Sequence, residues 1–128
     1  MKRPFAAGER VGPLGIVPRE WGNGTAVWEY TVDREHYNPN GVLHGGVIMT
    51  LLDTAMGHAV AELVLPEGRI NAAAQMNLNF LLPVREGTLR ATAKVRKLGK
   101  RLAVVDGEVT DEEGRLIAIA TATHSILP

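Results

Sequence analysis

A single carboxylate, Asp53, lies in the middle of an almost wholly apolar segment that follows the step His44-Gly45-Gly46. Between residues 47 and 61 the only other ionisable side chain is that of His58. A carboxylate buried without a cationic partner has a raised pKa, which suits a general base or a nucleophile. We therefore expect Asp53 to be buried and to act in catalysis. The alternative is a carboxylate on the helix surface that contacts solvent at the edge of the domain.

The His44-Gly45-Gly46 step ends a loop of turn-forming residues that includes Asn38. Glycine allows a ligand to approach the backbone closely. The first N–H groups of a helix have no partners within the helix and lie at the positive end of its dipole. We expect this corner to bind an oxyanion or a polarised carbonyl.

The spacing of His44 and Asp53 decides whether one chain can use both. They are nine positions apart, which on one helix means about 180° around the axis and about 13 Å along it. They cannot both contact one reacting atom from the same chain. If both act on one substrate, the site is shared between two copies related by a two-fold axis.

The segment 47–61 is apolar on all sides and predicts a buried helix that ends near Leu65, before Pro66. Its 15 residues are fewer than the roughly 20 that span a bilayer. We predict two strands before the helix (14–21 and 25–32). Alternation with period two predicts four strands after it (72–82, 88–96, 102–110 and 115–126).

The first strand after the helix alternates apolar residues with Asn71, Gln75, Asn77 and Asn79, which predicts one apolar and one amide-rich face. Four successive strands after one helix predict an α+β fold in which an antiparallel sheet packs on the helix. Burying a helix that is apolar all round requires the sheet to curl around it, or a second chain to cover the rest.

The composition predicts one domain, residues 1–128, with an irregular lead-in at 1–13. Lys plus Arg equals Asp plus Glu, 14 each, so no overall field favours nucleic acid or membrane. There is no cysteine, which excludes disulfides and thiolate chemistry. No histidine pair has a metal-ligand spacing, so we expect no metal. The N-terminus lacks the apolar stretch of a signal peptide, and we expect a cytoplasmic protein.

The remaining histidines and the lone serine suggest no further catalytic group. His58 and His124 are expected to pack or hydrogen-bond in the core or an interface, and His36 to be structural. Ser125 is the only serine and has no G-x-S-x-G setting, which disfavours a Ser-His-Asp hydrolase.

Asn38, His44-Gly45-Gly46 and Asp53, at spacings of six and nine, resemble the hotdog-fold acyl-CoA thioesterases of the phenylacetate-degradation (PaaI-like) type. The segments 77–84, 87–91, 99–104 and 109–118 resemble the same family, and the likeness covers residues 14–127. The resemblance implies a curved antiparallel sheet wrapped around one long central helix. It also implies hydrolysis of acyl-CoA to free acid and CoA, with no cofactor because CoA is part of the substrate.

Carried over by position, the resemblance makes Asp53 the general base or a nucleophile. The backbone N–H of Gly45 or Gly46 would polarise the thioester carbonyl, and Asn38 and His44 would orient the thioester or the water. In this family the aspartate faces the loop of the other subunit, which agrees with the spacing argument.

One position departs from the family. Some relatives place a serine on the strand after the helix to hold the water, and the matching residue here is Ala73. The serine's role is therefore either absent here or taken by another residue, for which Thr54 and Gln75 are the candidates.

A cluster of cations surrounds the turn at Gly99: Lys94, Arg96, Lys97, Lys100 and Arg101. Charge alone leaves a solvated hairpin and a clamp for the CoA phosphates equally open. The resemblance favours Gly99, Lys100 and Arg101, with Lys97, lying near the nucleotide. The patch has no interleaved aromatic residues, which disfavours nucleic acid.

Together these observations predict a homo-oligomer, a dimer or a dimer of dimers, that hydrolyses acyl-CoA thioesters and binds neither nucleic acid nor membrane. One alternative is hydration of an enoyl-CoA on the same scaffold, with Asp53 and His44 as the acid/base pair. Another is a non-catalytic acyl-CoA-binding or assembly module.

Overall fold

The computed structural model describes residues 5–128, so the first four residues of the predicted lead-in lie outside it. Within the described part, six strands and one long helix follow in the predicted order. They are β1 (Val17–Gly22), β2 (Thr25–Thr31), α1 (Gly45–Val64), β3 (Ile70–Phe80), β4 (Thr88–Leu98), β5 (Leu102–Thr110) and β6 (Leu116–Leu127). Short 3₁₀ helices, Arg34–His36 and Leu65–Glu67, lie on either side of α1 in the chain.

The strands form one antiparallel sheet in the order β1-β2-β4-β5-β6-β3, and α1 packs on one face of it. This arrangement confirms the predicted α+β hotdog fold. The change of hydrophobic period after residue 68 is what revealed it, because side chains alternate between the two faces of a strand.

The core lies between α1 and the sheet. Ten residues of α1 are buried: Val47, Ile48, Leu51, Leu52, Ala55, Met56, His58, Ala59, Val60 and Val64. The facing strands carry small residues, which let the helix approach closely. At Gly107 an added Cβ would lie 3.0 Å from both Leu52 Cδ2 and Met56 Sδ, so this glycine sets how closely β5 and α1 pack.

Helix α1 has 20 residues and ends close to the predicted Leu65, but it is longer than the 15-residue apolar run from which its reach across a bilayer was judged. Together with the following 3₁₀ turn it is long and apolar enough to cross a membrane by length and composition, and 61% of its most apolar window is buried against the sheet. The length argument made from the sequence is therefore wrong. Core helices of folded domains meet the same criterion, so helix length gives no information on a membrane.

One stripe of α1 is left uncovered by the sheet. Gly46, Met49, Thr50 and Asp53 lie on it and are exposed in the single chain, Met49 with 47% of its surface. The expectation that Asp53 is buried is wrong for one chain alone. Its apolar neighbours in sequence misled the prediction, because an apolar residue such as Met49 can also lie on an exposed face.

In the part of the chain that the structure describes, strand β3 lies at the edge of the sheet and pairs only with β6. Its pairing shifts at Ala74: Ala73 opposes His124, whereas Gln75 opposes Thr123. One extra residue is thus inserted, which is a β-bulge.

The bulge changes which residues of β3 share a face. Asn71 contacts α1, on the same side as Met76 and Leu78, which pack against the core. The prediction of a single amide-rich face is therefore wrong for Asn71, while Asn77 and Asn79 remain exposed.

Candidate active site

With respect to residues 5–128, the start of α1 presents one free backbone donor. His44 is the N-cap, and its Nδ1 accepts the N–H of Gly46 over 2.9 Å. The N–H of Val47 donates to the carbonyl of His44 over 3.0 Å. No acceptor among residues 5–128 takes the N–H of Gly45, which therefore remains available to a ligand.

An apolar groove of about 350 Å³ opens beside this donor. Its lining is Val42, Leu43, Gly45, Ile48, Phe80, Leu81, Leu82, Pro83 and Val84. Phe80 packs so closely that a Cβ added at Gly45 would lie 3.0 Å from its Cζ. A side chain at position 45 would therefore require the Phe80 ring to shift. The groove suits an apolar group attached to a carbonyl that binds the free N–H.

The loop before α1 is held by its own hydrogen bonds. The Oδ1 of Asn38 accepts the backbone N–H of Asn40 over 2.9 Å and that of Val42 over 3.4 Å. The N–H of His44 donates to the carbonyl of His36 over 2.9 Å. Asn38 therefore shapes the loop with its oxygen, which leaves its Nδ2 group as the donor it can offer to a ligand.

Asp53 lies on the exposed stripe of α1, eight positions after Gly45. That spacing corresponds to about 12 Å along the helix axis. Within the described residues Asp53 makes no hydrogen bond or ion pair. One chain therefore holds the free N–H and the carboxylate apart, as the spacing of His44 and Asp53 predicted.

The structure places two further polar residues near Asp53, and neither was assigned a role in the site from the sequence. The Nδ2 of Asn71 donates to the carbonyl of Gly57 over 3.3 Å, and its Oδ1 lies 2.7 Å from Nδ1 of His124. Burial lowers the pKa of His124, and the nearby Asp53 carboxylate opposes that shift. No sequence signal pairs Asn71 with His124, because they are 53 positions apart and the bulge decides the face.

The two candidates for the role of the family's serine, Thr54 and Gln75, lie on different elements of the fold. Ala73 opposes the buried His124 and so lies on the α1 side of the sheet, whereas Gln75 opposes Thr123 on the other face. Gln75 therefore cannot assist Asp53 of its own chain. Thr54 is half-buried on α1 beside Asp53.

The basic turn lies far from the start of α1. Lys97, Lys100 and Arg101 are exposed and form no ion pair within the described part of the chain. Arg69, just beyond the C-terminal end of α1, donates from Nη2 to the carbonyl of Lys100 over 2.9 Å. Since α1 has 20 residues, this turn is about 30 Å from the Gly45 N–H of the same chain.

His58 lies in the core, as predicted: its Nδ1 accepts the indole N–H of Trp28 over 2.9 Å, and the ring is packed by Phe5 and Trp21. Among residues 5–128 no three or more His, Cys, Asp or Glu side chains are grouped to hold a metal ion.

The profile of the thioesterase superfamily matches residues 40–118, which include α1, Gly45 and Asp53. The chain belongs to this superfamily. It is a thioester hydrolase by that membership and by its relatives. It is 34% identical over 107 residues to the acyl-coenzyme A thioesterase PaaI of Escherichia coli, covering 83% of this chain and 74% of that protein.

A second relative is the 1,4-dihydroxy-2-naphthoyl-CoA hydrolase of E. coli, 33% identical over 121 residues, with 94% of this chain and 88% of that protein covered. The solved structure of E. coli PaaI matches with a TM-score of 0.83 and 31% identity over 90% of this chain and 81% of that one. A Bacillus halodurans protein crystallised with CoA matches with a TM-score of 0.75 and 33% identity, over 79% of this chain and 66% of that one.

Proposed function

We propose that this thioester hydrolase acts on acyl-CoA, in a site formed by Gly45 and His44 of one chain and Asp53 of a second. The observation that carries the proposal is the free N–H of Gly45 beside an apolar groove. The Asp53 carboxylate of the same chain lies about 12 Å away along the axis of α1. A second copy is the source of a carboxylate that can face this donor.

The edge strand β3 supports an assembly of two copies. It has 11 residues, most of them exposed, and an unpaired edge. Such an edge is a template for pairing with another chain. Two-fold pairing of β3 with its copy would continue the sheet, lay two α1 helices side by side in opposite directions, and cover the exposed stripe that carries Asp53.

The groups then have complementary tasks. The thioester oxygen accepts the N–H of Gly45, and the apolar groove takes the acyl group. Because Nδ1 of His44 accepts a hydrogen bond, its neutral ring carries the proton on Nε2, which can donate to the substrate. Asp53 removes a proton from a water molecule while the water oxygen attacks the carbonyl carbon. The C–S bond then breaks to release the acid and the CoA thiol.

Asp53 can alternatively attack the carbonyl itself. The C–S bond then breaks to leave an acyl-aspartyl anhydride, which water hydrolyses. A single turnover in H₂¹⁸O followed by mass spectrometry of the protein tests for this route. Label in Asp53 requires the anhydride, because ¹⁸O enters the side chain only when water opens the anhydride at the carboxyl carbon of Asp53.

The shared site is tested by complementation. The variants His44→Asn and Asp53→Asn are produced separately and together with different tags, and the mixed dimer is purified. Each variant alone should lose at least 100-fold in rate of thiol release, Asp53→Asn because it lacks the catalytic base and His44→Asn because it lacks a donor to the substrate. The mixed dimer has one intact site and should recover up to half of the wild-type rate.

Asp106→Asn is the matched control, since Asp106 lies on the outer face of β5, where it pairs with Arg96. This variant should keep the wild-type rate. An inactive mixed dimer would contradict sharing of the site. Full activity of Asp53→Asn would contradict its catalytic role. A panel of aryl-acetyl, short, medium and long acyl-CoAs, followed by thiol release, identifies the acyl group and separates hydrolysis from enoyl-CoA hydration, which releases no thiol.

A further inference from the structure

The strongest feature outside the proposed machinery is the pair Asn71 and His124. The ring of His124 is 1% exposed, and its Nδ1 lies 2.7 Å from Oδ1 of Asn71. Its other nitrogen, Nε2, is buried and has no hydrogen-bond partner among residues 5–128. A buried polar atom without a protein partner is rare and costly, and one such atom beside a candidate catalytic residue suggests a role.

The protonation of this ring follows from its neighbours. The carbonyl of Gly57 can only accept, so the group of Asn71 that faces it over 3.3 Å is the Nδ2 amide. The Oδ1 of Asn71 therefore faces His124, and Nδ1 of the ring must carry a proton. In the neutral ring Nε2 is then a hydrogen-bond acceptor. Burial favours the neutral ring, because it lowers the pKa of His124.

The ring lies one helical turn from Asp53. An added Cβ at Gly57 would lie 3.8 Å from Cε1 of His124, and Gly57 follows Asp53 by four positions, on the same side of α1. Ala73, which opposes His124 on β3, is also small. A buried acceptor of this kind is satisfied by a water where the site has room for one and supplies two or more polar partners.

We propose that His124, oriented by Asn71, holds the attacking water against Asp53 in place of the serine that the strand after the helix lacks. The water donates one hydrogen to Nε2 of His124 and the other to the carboxylate, and its lone pair is then directed at the thioester carbon. When Asp53 takes its proton, the oxygen bonds to that carbon. His124 stays neutral throughout and acts as a positioning residue. This proposal rests on the proposed function.

Two substitutions separate this role from a structural one. Asparagine has its polar group near the place of Nδ1, so His124→Asn can keep the bond to Asn71 and loses the acceptor at Nε2. Glutamine reaches the place of Nε2, so His124→Gln restores an acceptor there. The substrate used for these assays is phenylacetyl-CoA. If another acyl-CoA of the panel is hydrolysed faster, that acyl-CoA is used instead.

We expect His124→Asn to lower kcat by about 100-fold with KM within threefold, since loss of positioning costs about this much. The kcat of His124→Gln should be at least tenfold higher than that of His124→Asn. A purely structural His124 would give the reverse order, with His124→Asn the more active, and that result would overturn the proposal. A wild-type kcat in His124→Asn, together with an inactive Asp53→Asn, would also overturn this proposal. That outcome would leave the proposed function intact.

A second measurement does not depend on turnover. Long-range ¹H–¹⁵N NMR of the wild-type protein reports which ring nitrogen of His124 carries the proton. We expect Nδ1 protonated and Nε2 bare from pH 7 to 8, and a loss of this preference in Asn71→Ala. Asp53 is the charged group that acts on this ring within the described residues, so Asp53→Asn should leave the ring neutral. A proton on Nε2 in the wild-type protein would overturn the proposal, whether or not the chain hydrolyses phenylacetyl-CoA.

Discussion

The imidazole of His44 accepts the backbone N–H of Gly46 over 2.9 Å, and this bond leaves the N–H of Gly45 as the free donor at the start of α1. The sequence left Gly45 and Gly46 as equal candidates for polarising a carbonyl. The cap distinguishes them, because a donor already bound to His44 is not available to a substrate.

The cap predicts that stability and activity respond differently to changes at His44. His44→Ala removes the N-cap acceptor and should lower the free energy of unfolding by about 0.5–2 kcal/mol. His44→Asn keeps an N-cap acceptor and should unfold near the wild-type urea concentration. Both variants should lose activity, because neither has the Nε2 donor. A fully active His44→Asn would show that the ring acts only as a cap.

The contact between Gly45 and Phe80 predicts that even one methyl group disturbs the site. In Gly45→Ala the new Cβ would lie 3.0 Å from Phe80 Cζ and 3.3 Å from its Cε1, so the ring has to move. We expect kcat/KM to fall by about 100-fold, as for a misplacement of about 1 Å. The double variant Gly45→Ala/Phe80→Leu should recover part of this loss. No recovery would mean that the methyl itself blocks the substrate.

The basic turn predicts an effect on binding of the nucleotide rather than on chemistry. Lys100→Ala and Arg101→Ala should each raise KM for an acyl-CoA about 3- to 10-fold with little change in kcat, since exposed charge–phosphate contacts are modest. Arg90→Ala, near the other end of β4 and outside this cluster, is the matched control. The effects should vanish with the corresponding acyl-pantetheine, which has no nucleotide. Equal effects on both substrates would argue against a phosphate clamp.

The buried ring of His124 predicts a pH-dependent part of the stability. The pKa of His124 in the folded chain lies below the ordinary value of 6.5. As the pH falls, the ring therefore binds a proton more readily in the unfolded chain than in the folded one. Stability is therefore lost as pH falls below 6.5, by at most about 1.4 kcal/mol per pH unit from this group. Urea unfolding between pH 8 and 5 should show a shallower decline for His124→Gln than for the wild type.

Much of the fold could be predicted from the sequence, because hydrophobic periodicity is a local property. Six strands were predicted in the right order, the four after the helix from the change of period, and Leu102–Thr110 was placed with its observed bounds. The motif residues were also found by local signals: a glycine-rich helix start at Gly45 and one carboxylate, Asp53, in an apolar run.

Other features could be decided only by the tertiary structure. The bulge at Ala74 moves Asn71 to the face that carries Met76, and no alternation pattern reveals one inserted residue. The exposure of Asp53 depends on which side of α1 the sheet covers. The Asn71–His124 pair joins residues 53 positions apart. Local chemistry therefore determined which elements form and which residues can react, whereas strand register and helix packing determined which of those residues meet.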